Sequence, residues 1–182
     1  MPPRTGHRPR PALDPATLDE LALVYVGRFA TSRSKLASYL RRKLRERGWA
    51  GETEPDVAGI AARLGELGYV DDAAFALARA RALTARGYGA RRVGQALHAA
   101  GIGEEDGGGA RDLAHRERVE AALKMARRRR AGPFAAASLD PVQREKALAA
   151  MLRAGHGFAL ARAIIDLPPG SVIDHGFLEE LR

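Results

Sequence analysis

The sequence predicts an all-α protein built as an elongated tandem array of three three-helix repeats. Three times, a large apolar residue is followed four positions later by glycine. The glycines of these pairs lie 53 (101 − 48) and 54 (155 − 101) residues apart, a near-constant period that is typical of a repeated structural unit. Aromatic residues are only 5% of the chain, which favours closely packed helices over a strand-rich sandwich. The pairs are Leu44–Gly48, Leu97–Gly101 and Met151–Gly155.

The first repeat is predicted to span residues 14–70 and to follow a basic N-terminal arm over residues 1–13. The arm mixes proline, arginine, glycine and histidine without hydrophobic periodicity, which is typical of a disordered segment. Asp14 is a predicted N-cap, and Pro15 suits the first position of the helix that follows. Apolar residues then recur at helical spacing as far as Phe29.

Two more helices complete the predicted first repeat. A cap within Thr31-Ser32 should begin the second helix, and Gly48 should end it as an αL residue. Trp49 should then fold back onto the apolar face of that helix. Thr53 and Asp56 are a predicted capping pair for the third helix, which is expected to end at Gly68.

The second repeat is predicted over residues 71–114. Asp71 and Asp72 stand where its first helix should begin. Three consecutive glycines at 107–109 would each cost about 1 kcal/mol relative to alanine inside a helix. We therefore expect a glycine-rich interruption, with loop structure, at these positions. The apolar face predicted for the first helix of this repeat comprises Phe75, Ala78, Ala82 and Leu83.

The third repeat is predicted over residues 115–169, and residues 170–182 form a C-terminal tail outside it. Asp140 should start the second helix of this repeat, and the pair Pro168-Pro169 should stop its final helix. The tail fits no regular element beyond a single helical turn. At two helix layers per repeat and about 10 Å per layer, three repeats would extend roughly 60 Å.

No motif with catalytic spacing is found in the sequence. It has no phosphate-binding glycine loop, no Gly-x-Ser-x-Gly elbow and no His-Glu-x-x-His pattern among its five scattered histidines. The adjacent carboxylates Asp71 and Asp72 stand at an expected helix start, so capping explains them better than acid–base chemistry. We therefore expect no enzyme activity, no cofactor and no bound metal.

The charge of the chain indicates an anionic partner. The net charge is +8 and the pI is near 10.5. Nearly all of the 30 basic residues are arginines, which form bidentate contacts with phosphate or carboxylate. Basic clusters recur in each predicted repeat and supply the candidate contact residues. These are Arg41, Arg42, Lys43, Arg45, Arg47, Arg86, Arg91, Arg92, Arg127, Arg128, Arg129 and Arg130.

Two interpretations of these clusters stay open at this stage. Each cluster can be an ordinary solvated helix face, or the clusters of successive repeats can align into one basic stripe. Aromatic residues are too few for the stacking platform of single-strand binders, so we expect electrostatic contact with a nucleic-acid backbone. Trp49 and Tyr88 are expected to pack at core or cap positions.

The sequence also predicts a compartment. No stretch is long and apolar enough to span a bilayer, the N-terminus lacks a secretory signal, and there is no cysteine for a disulfide or thiolate site. We expect a cytoplasmic, monomeric protein without membrane contacts.

Three sequence signatures carry a family resemblance, through their order and spacing across residues 18–102. They run from Ser34-Lys35-Leu36 to Arg47-Gly48-Trp49, over Glu66-Leu67-Gly68-Tyr69-Val70-Asp71-Asp72-Ala73-Ala74-Phe75, and from Arg86-Gly87-Tyr88-Gly89-Ala90-Arg91-Arg92-Val93 to Ala100-Gly101-Ile102. In these signatures the chain resembles the RecX family of bacterial recombinase regulators. A looser match continues at Gly155-His156-Gly157-Phe158 and Arg162.

The resemblance implies a helical-repeat protein that binds the RecA recombinase. Members of the family lodge in the groove of the RecA filament on single-stranded DNA, where they block its growth or promote its disassembly. Strand exchange and the coprotease activity behind the SOS response are thereby damped. The implied partners are RecA, its filament and, through weak electrostatic contact, single-stranded DNA. DNA repair and the SOS response are the processes that this function would affect. The alternative is a general nucleic-acid-binding helical repeat module that acts without RecA.

One residue departs from the family pattern within the third repeat. His156 stands where the family usually has an aromatic residue. A less completely filled third core is therefore expected.

Overall fold

The computed structural model describes residues 11–181, and over that range the chain forms ten α-helices, one 3₁₀ turn and one isolated β-bridge. The predicted all-α class is confirmed. The helices are α1 (Pro15–Arg28), α2 (Arg33–Arg47), α3 (Val57–Glu66), α4 (Asp72–Ala85), α5 (Ala90–His98), α6 (Glu104–Arg116), α7 (Arg118–Arg129), α8 (Pro141–Arg153), α9 (Phe158–Asp166) and α10 (His175–Glu180), and the 3₁₀ turn is Gly132–Phe134.

The chain divides into two compact units. Unit 1 ends at Asp72 and unit 2 begins at Ala73. Three clusters of buried apolar side chains form the cores, one in unit 1 and two in unit 2.

Unit 1 packs α1, α2 and α3 around one hydrophobic cluster. The predicted caps at Asp14 and within Thr31-Ser32 are confirmed, and of the predicted pair Thr53 and Asp56 it is Asp56 that caps α3. The side chains of Asp14, Ser32 and Asp56 each accept a hydrogen bond from the backbone N–H three residues later, at 2.8, 3.2 and 2.8 Å. Satisfying these N–H groups stabilises each helix start by about 1 kcal/mol. The largest enclosed side chains of the cluster are Leu13, Leu18, Leu36 and Leu40.

The end of α2 matches the sequence pattern in part. Gly48 ends the helix, has φ +80° and donates its N–H to the carbonyl oxygen of Leu44 at 2.8 Å, but its ψ of 178° lies outside the αL region, so the predicted αL conformation is wrong. Trp49 packs against the cluster of unit 1 as predicted, and its indole N–H donates to the carbonyl oxygen of Thr53 at 2.6 Å.

The predicted boundary of the N-terminal arm is wrong at Leu13. Residues 1–10 of that arm lie outside the described part of the chain, but Leu13 is fully buried. Its N–H donates to Gly48 at 3.0 Å, and its carbonyl oxygen accepts from Ala50 at 2.8 Å. An apolar residue one position before an N-cap is often drawn into the core in this way.

Unit 2 contains the rest of α4 and helices α5 to α10. The predicted apolar face of α4 is partly wrong, because Ala78 and Ala82 are exposed while Ala76 and Ala80 are fully buried. Alanines occur on every side of α4, so its sequence does not indicate which side is buried. Packing against α5 and α6 residues of the same cluster selects the face that includes Leu83.

The predicted interruption at residues 107–109 is also wrong, because α6 runs through all three glycines without a break. Ala110 and Ala114 are buried in the core, so tertiary packing holds the helix together. The absence of a side chain at Gly107 leaves room for Arg111, whose guanidinium donates to the carbonyl oxygen of Gly103 at 3.2 Å.

The second cluster of unit 2 is built by α7, α8, α9 and α10. Asp140 caps α8 through a reciprocal pair of hydrogen bonds with Gln143, at 2.8 and 3.1 Å. The C-terminal tail contributes α10, whose Leu178 is 1% exposed within this cluster. The tail therefore belongs to the core of unit 2 rather than lying outside it.

Candidate functional site

The candidate residues of unit 1 lie on α2. Arg41 and Arg45 are exposed. Lys43 forms an ion pair with Glu46 at 2.6 Å, and Arg42 forms a longer one with the same carboxylate at 3.7 Å. The exposed pair of Arg42 contributes little to stability, so this cation remains available to another anion, whereas the half-buried Lys43 is held more closely by Glu46.

Arg47 has a structural role at the end of α2. Its Nε donates to the carbonyl oxygen of Pro11 at 2.9 Å and so ties the start of the described chain to the helix. Arg47 is one of the five predicted contact residues on α2, and part of its guanidinium is therefore engaged in a contact with the backbone.

Next to this cluster, α1 and α2 bring three aromatic rings together. Tyr25 stacks on Tyr39 with centroids 4.1 Å apart and planes inclined by 17°, and Phe29 lies 5.3 Å from Tyr25. Each outer ring has cationic neighbours: the guanidinium of Arg28 is 5.9 Å from the Phe29 centroid, and that of Arg42 is 5.5 Å from the Tyr39 centroid. We call these three rings the aromatic stack.

Sequence reasoning missed the aromatic stack. Tyr25 lies on α1 and Phe29 is its C-cap four positions later, and the two rings are in contact although the backbone of Phe29 is extended. Tyr39 comes from a different helix, and its register against α1 follows from core packing, which local spacing does not reveal.

In unit 2, the structure brings together two predicted residues that are distant in sequence. Arg128, near the end of α7, donates from Nη1 to the carbonyl oxygen of Arg86 at 2.7 Å. This contact uses the backbone of Arg86, whose guanidinium lies 5.5 Å from the ring centroid of Tyr88. The Nη2 of Arg128 also contacts the sulfur of Met125.

The remaining arginines of the α7 run diverge in role. Arg127 lies 4.7 Å from the ring centroid of Phe134, a cation–π contact. Arg130 ends the helix in the left-handed region at φ +50°, and both Arg129 and Arg130 are exposed. Some cations of this run are therefore engaged in contacts within the protein, and the run is only partly an open charged surface.

Arg91 and Arg92 occupy the first turn of α5 and are exposed. Arg91 lines a pocket of about 690 Å³ in unit 2, together with Arg118 and the acidic Glu180. Arg118, which the sequence did not single out, donates to the carbonyl oxygen of Glu179. The mixed charges of this pocket do not mark it as a phosphate site.

His156 is buried in unit 2, with 2% of its surface exposed. Its Nε2 lies 3.1 Å from the carbonyl oxygen of Gly87, which can only accept, so Nε2 carries the proton. Burial lowers the pKa of this histidine; the hydrogen bond that Nε2 donates to the carbonyl oxygen of Gly87 opposes the shift, and the charge of Arg128 adds to it. Burial therefore favours the neutral imidazole at this position.

The structure places some candidate residues together and others apart. One helix of unit 1, α2, carries Arg41, Arg42, Lys43 and Arg45. In unit 2 the side chain of Arg128 contacts the backbone carbonyl of Arg86. A single stripe formed by all clusters remains a prediction. Within residues 11–181, no group of three or more potential ligands could hold a metal ion, and no helix has the length and apolar character of a membrane span.

Comparison with known proteins gives a consistent result. The regulatory protein RecX of Myxococcus xanthus (strain DK1622) is 32% identical over 174 residues, which cover 91% of this chain and 92% of the relative. No protein-family model matches the sequence.

Two solved structures share the fold. RecX from Lactobacillus salivarius superposes with a TM-score of 0.58 at 20% identity, over 82% of this chain and 93% of the other. A second crystal structure of regulatory protein RecX gives a TM-score of 0.60 at 21% identity, over 82% of this chain and 70% of the other. The helical architecture and the extended similarity to the Myxococcus protein agree with the three sequence signatures, and this chain belongs to the RecX family.

Proposed function

We propose that this chain binds the RecA recombinase and its filament on single-stranded DNA and inhibits recombinase and coprotease activity without catalysing a reaction. Damping of DNA recombination, DNA repair and the SOS response would follow from that inhibition, in the cytoplasm. The observation that carries the proposal is the 32% identity to a RecX regulatory protein over nearly the whole chain. The exposed cations of α2 and α5 support it, because a nucleoprotein filament is anionic.

The three-repeat organisation forms part of the proposal. Its support is that the three hydrophobic clusters draw on successive stretches of the chain, with members at 13–70, 76–114 and 119–178. Repeated modules suit a repeating partner, because several weak contacts add up only when neighbouring protomers present them together.

A general nucleic-acid-binding module that acts without RecA is the second candidate function. The net charge of +8 favours it. Such a protein should bind naked DNA with a steep salt dependence and should respond in the same way whether RecA is present or not.

One titration separates the two functions. The protein is added to preformed RecA filaments on single-stranded DNA and to bare DNA at matched salt, while DNA-dependent ATP hydrolysis and strand exchange by RecA are followed. A RecA regulator should suppress both activities at near-equal or lower ratios to RecA. Tight binding to bare DNA with unchanged RecA activity would support the second function instead.

Charge reversal tests the candidate residues. Changing Arg41, Arg42 and Arg45 together to Glu should weaken filament inhibition while the helical content is retained, and so should changing Arg91 and Arg92. The matched control is the double change of Arg79 and Arg81 to Glu, two exposed arginines of α4 outside the candidate set. Inhibition equal to wild type in both candidate variants would identify these clusters as ordinary solvated faces.

A further inference from the structure

We infer that the aromatic stack of unit 1 is a nucleobase-stacking site for single-stranded nucleic acid, with Phe29 as the ring that receives the base. The inference goes beyond regulation of RecA and does not depend on it, because the ligand is the strand itself. It also revises the expectation that aromatic residues are too few for stacking: they are few in the chain but concentrated at one place.

Phe29 has the exposure and support that a stacking residue needs. Its side chain is 54% exposed, although a phenylalanine of this size gains free energy by burial. The residue caps the C-terminus of α1, and its N–H donates to the carbonyl oxygen of Tyr25 at 3.0 Å. The ring is therefore held at a defined place beside Tyr25 while remaining open to solvent.

The two tyrosines support Phe29 from behind. Tyr25 and Tyr39 are half-buried against the cluster of unit 1, and they stack on each other. Phe29 contacts the outer side of this pair, with its centroid 5.3 Å from that of Tyr25 and its plane inclined by 46°. A base that stacks on Phe29 would use a ring already in contact with its neighbours, so the protein would lose little conformational entropy on binding.

The cations around the rings favour a nucleic acid as the occupant. Arg28, Arg42 and Lys43 all place their charged groups within 5.9 Å of a ring centroid. Glu46 offsets part of this charge through its ion pairs with Arg42 and Lys43. The pair with Arg42 is long and solvent-exposed and therefore weak, so a phosphate can replace the carboxylate there.

Rings interleaved with cations are the arrangement by which proteins bind single strands, since bases stack and phosphates pair with the charges. A double helix hides the faces of its bases and does not fit.

The test compares labelled oligo(dT) with an abasic oligomer of the same length and phosphate number, using fluorescence anisotropy at low salt. Wild type should bind oligo(dT) more tightly than the abasic strand. Phe29→Ala should lower affinity for oligo(dT) by about 5- to 150-fold, the range for one base–aromatic stack, and should remove the preference between strands. Phe29→Trp should restore the preference.

Phe158→Ala is the matched control, because Phe158 has the same 54% exposure but lies on α9 in unit 2. This variant should bind both strands as wild type does. Circular dichroism establishes that all variants keep their helical content.

Several results would overturn the inference. They are an equal affinity of wild type for both strands, no binding of wild type to either strand, or a preference that survives in Phe29→Ala. A Phe29→Ala variant that binds both strands as wild type does, but fails to inhibit RecA, would instead identify the stack as a protein interface. Failure of RecA inhibition in wild type, with the strand preference intact, would refute only the proposed function.

Discussion

The backbones of Gly89 and Gly155 touch at the junction between the two hydrophobic clusters of unit 2. The N–H of Gly89 donates to Ala154 at 2.9 Å, and the N–H of Arg91 donates to the carbonyl oxygen of Gly155 at 3.2 Å. A Cβ atom on Gly89 would lie only 2.4 Å from that same carbonyl oxygen. The start of α5 thus rests directly on the loop between α8 and α9.

Replacing Gly89 with Ala should destabilise the protein by about 1–3 kcal/mol, because rigid backbone atoms must move to admit the methyl group. The measurement is the free energy of unfolding in urea. Gly94→Ala is the control, since Gly94 lies inside α5 with open space around it and should gain up to about 1 kcal/mol. Equal unfolding midpoints for Gly89→Ala and wild type would contradict the close approach.

The close approach shows where sequence reasoning succeeds and where it fails. The caps at Asp14 and within Thr31-Ser32 were recognisable in the sequence because capping depends on residues only three positions apart. The contact between Gly89 and Gly155 joins segments 66 positions (155 − 89) apart in the chain. Nothing local to either glycine predicts the other as its partner.

The same distinction explains the candidate site. The basic residues of α2 were found from the sequence because they are adjacent in it, whereas the stack of Tyr25 on Tyr39 depends on how α1 packs against α2. The buried stripe of α4 was misassigned for a related reason: its alanines are interchangeable in the sequence, and only tertiary contact makes Ala76 differ from Ala78.

Asp72→Asn should destabilise the protein by about 1–3 kcal/mol, the cost of weakening hydrogen bonds to a buried charged group. One carboxylate oxygen of Asp72 accepts from the N–H of Arg33 at 2.8 Å, and the other accepts from its Nε at 3.0 Å. The carboxylate thus satisfies a backbone N–H in the first turn of α2. The side chain of Asp72 is only 5% exposed. The free energy of unfolding in urea measures the effect.

Asp71→Asn is the matched control for that change. Asp71 is the preceding residue but is exposed, so its replacement should change the free energy of unfolding by less. A larger effect at Asp71 than at Asp72 would contradict the importance of the contact with Arg33.

Gly109 offers a direct test of the continuous helix α6. The position is exposed and has open space for a methyl group, so Gly109→Ala should stabilise the protein by about 1 kcal/mol through helix propensity alone. Gly109→Pro should destabilise it by about 3 kcal/mol, since a proline removes a helical hydrogen bond and clashes with the preceding turn. Thermal unfolding followed by circular dichroism compares the two. If both variants unfold like wild type, residues 107–109 form a loop.

The burial of His156 predicts a pH dependence of stability. Because burial lowers its pKa in the folded state, the unfolded chain binds a proton at a higher pH than the folded chain does. The free energy of unfolding contributed by this residue is therefore complete above the ordinary histidine pKa of about 6.5 and decreases as the pH falls below it. Glutamine can keep the donor to Gly87 but does not titrate, so His156→Gln should remove this part of the decrease.

Urea unfolding of wild type and His156→Gln between about pH 7.5 and pH 5.5 measures the difference, with the exposed His98→Gln as control. The stability advantage of wild type over His156→Gln should shrink towards the lower pH, whereas the His98 variant should follow wild type more closely. An advantage that stays constant, or grows, as the pH falls would show that His156 does not hold its neutral form through burial.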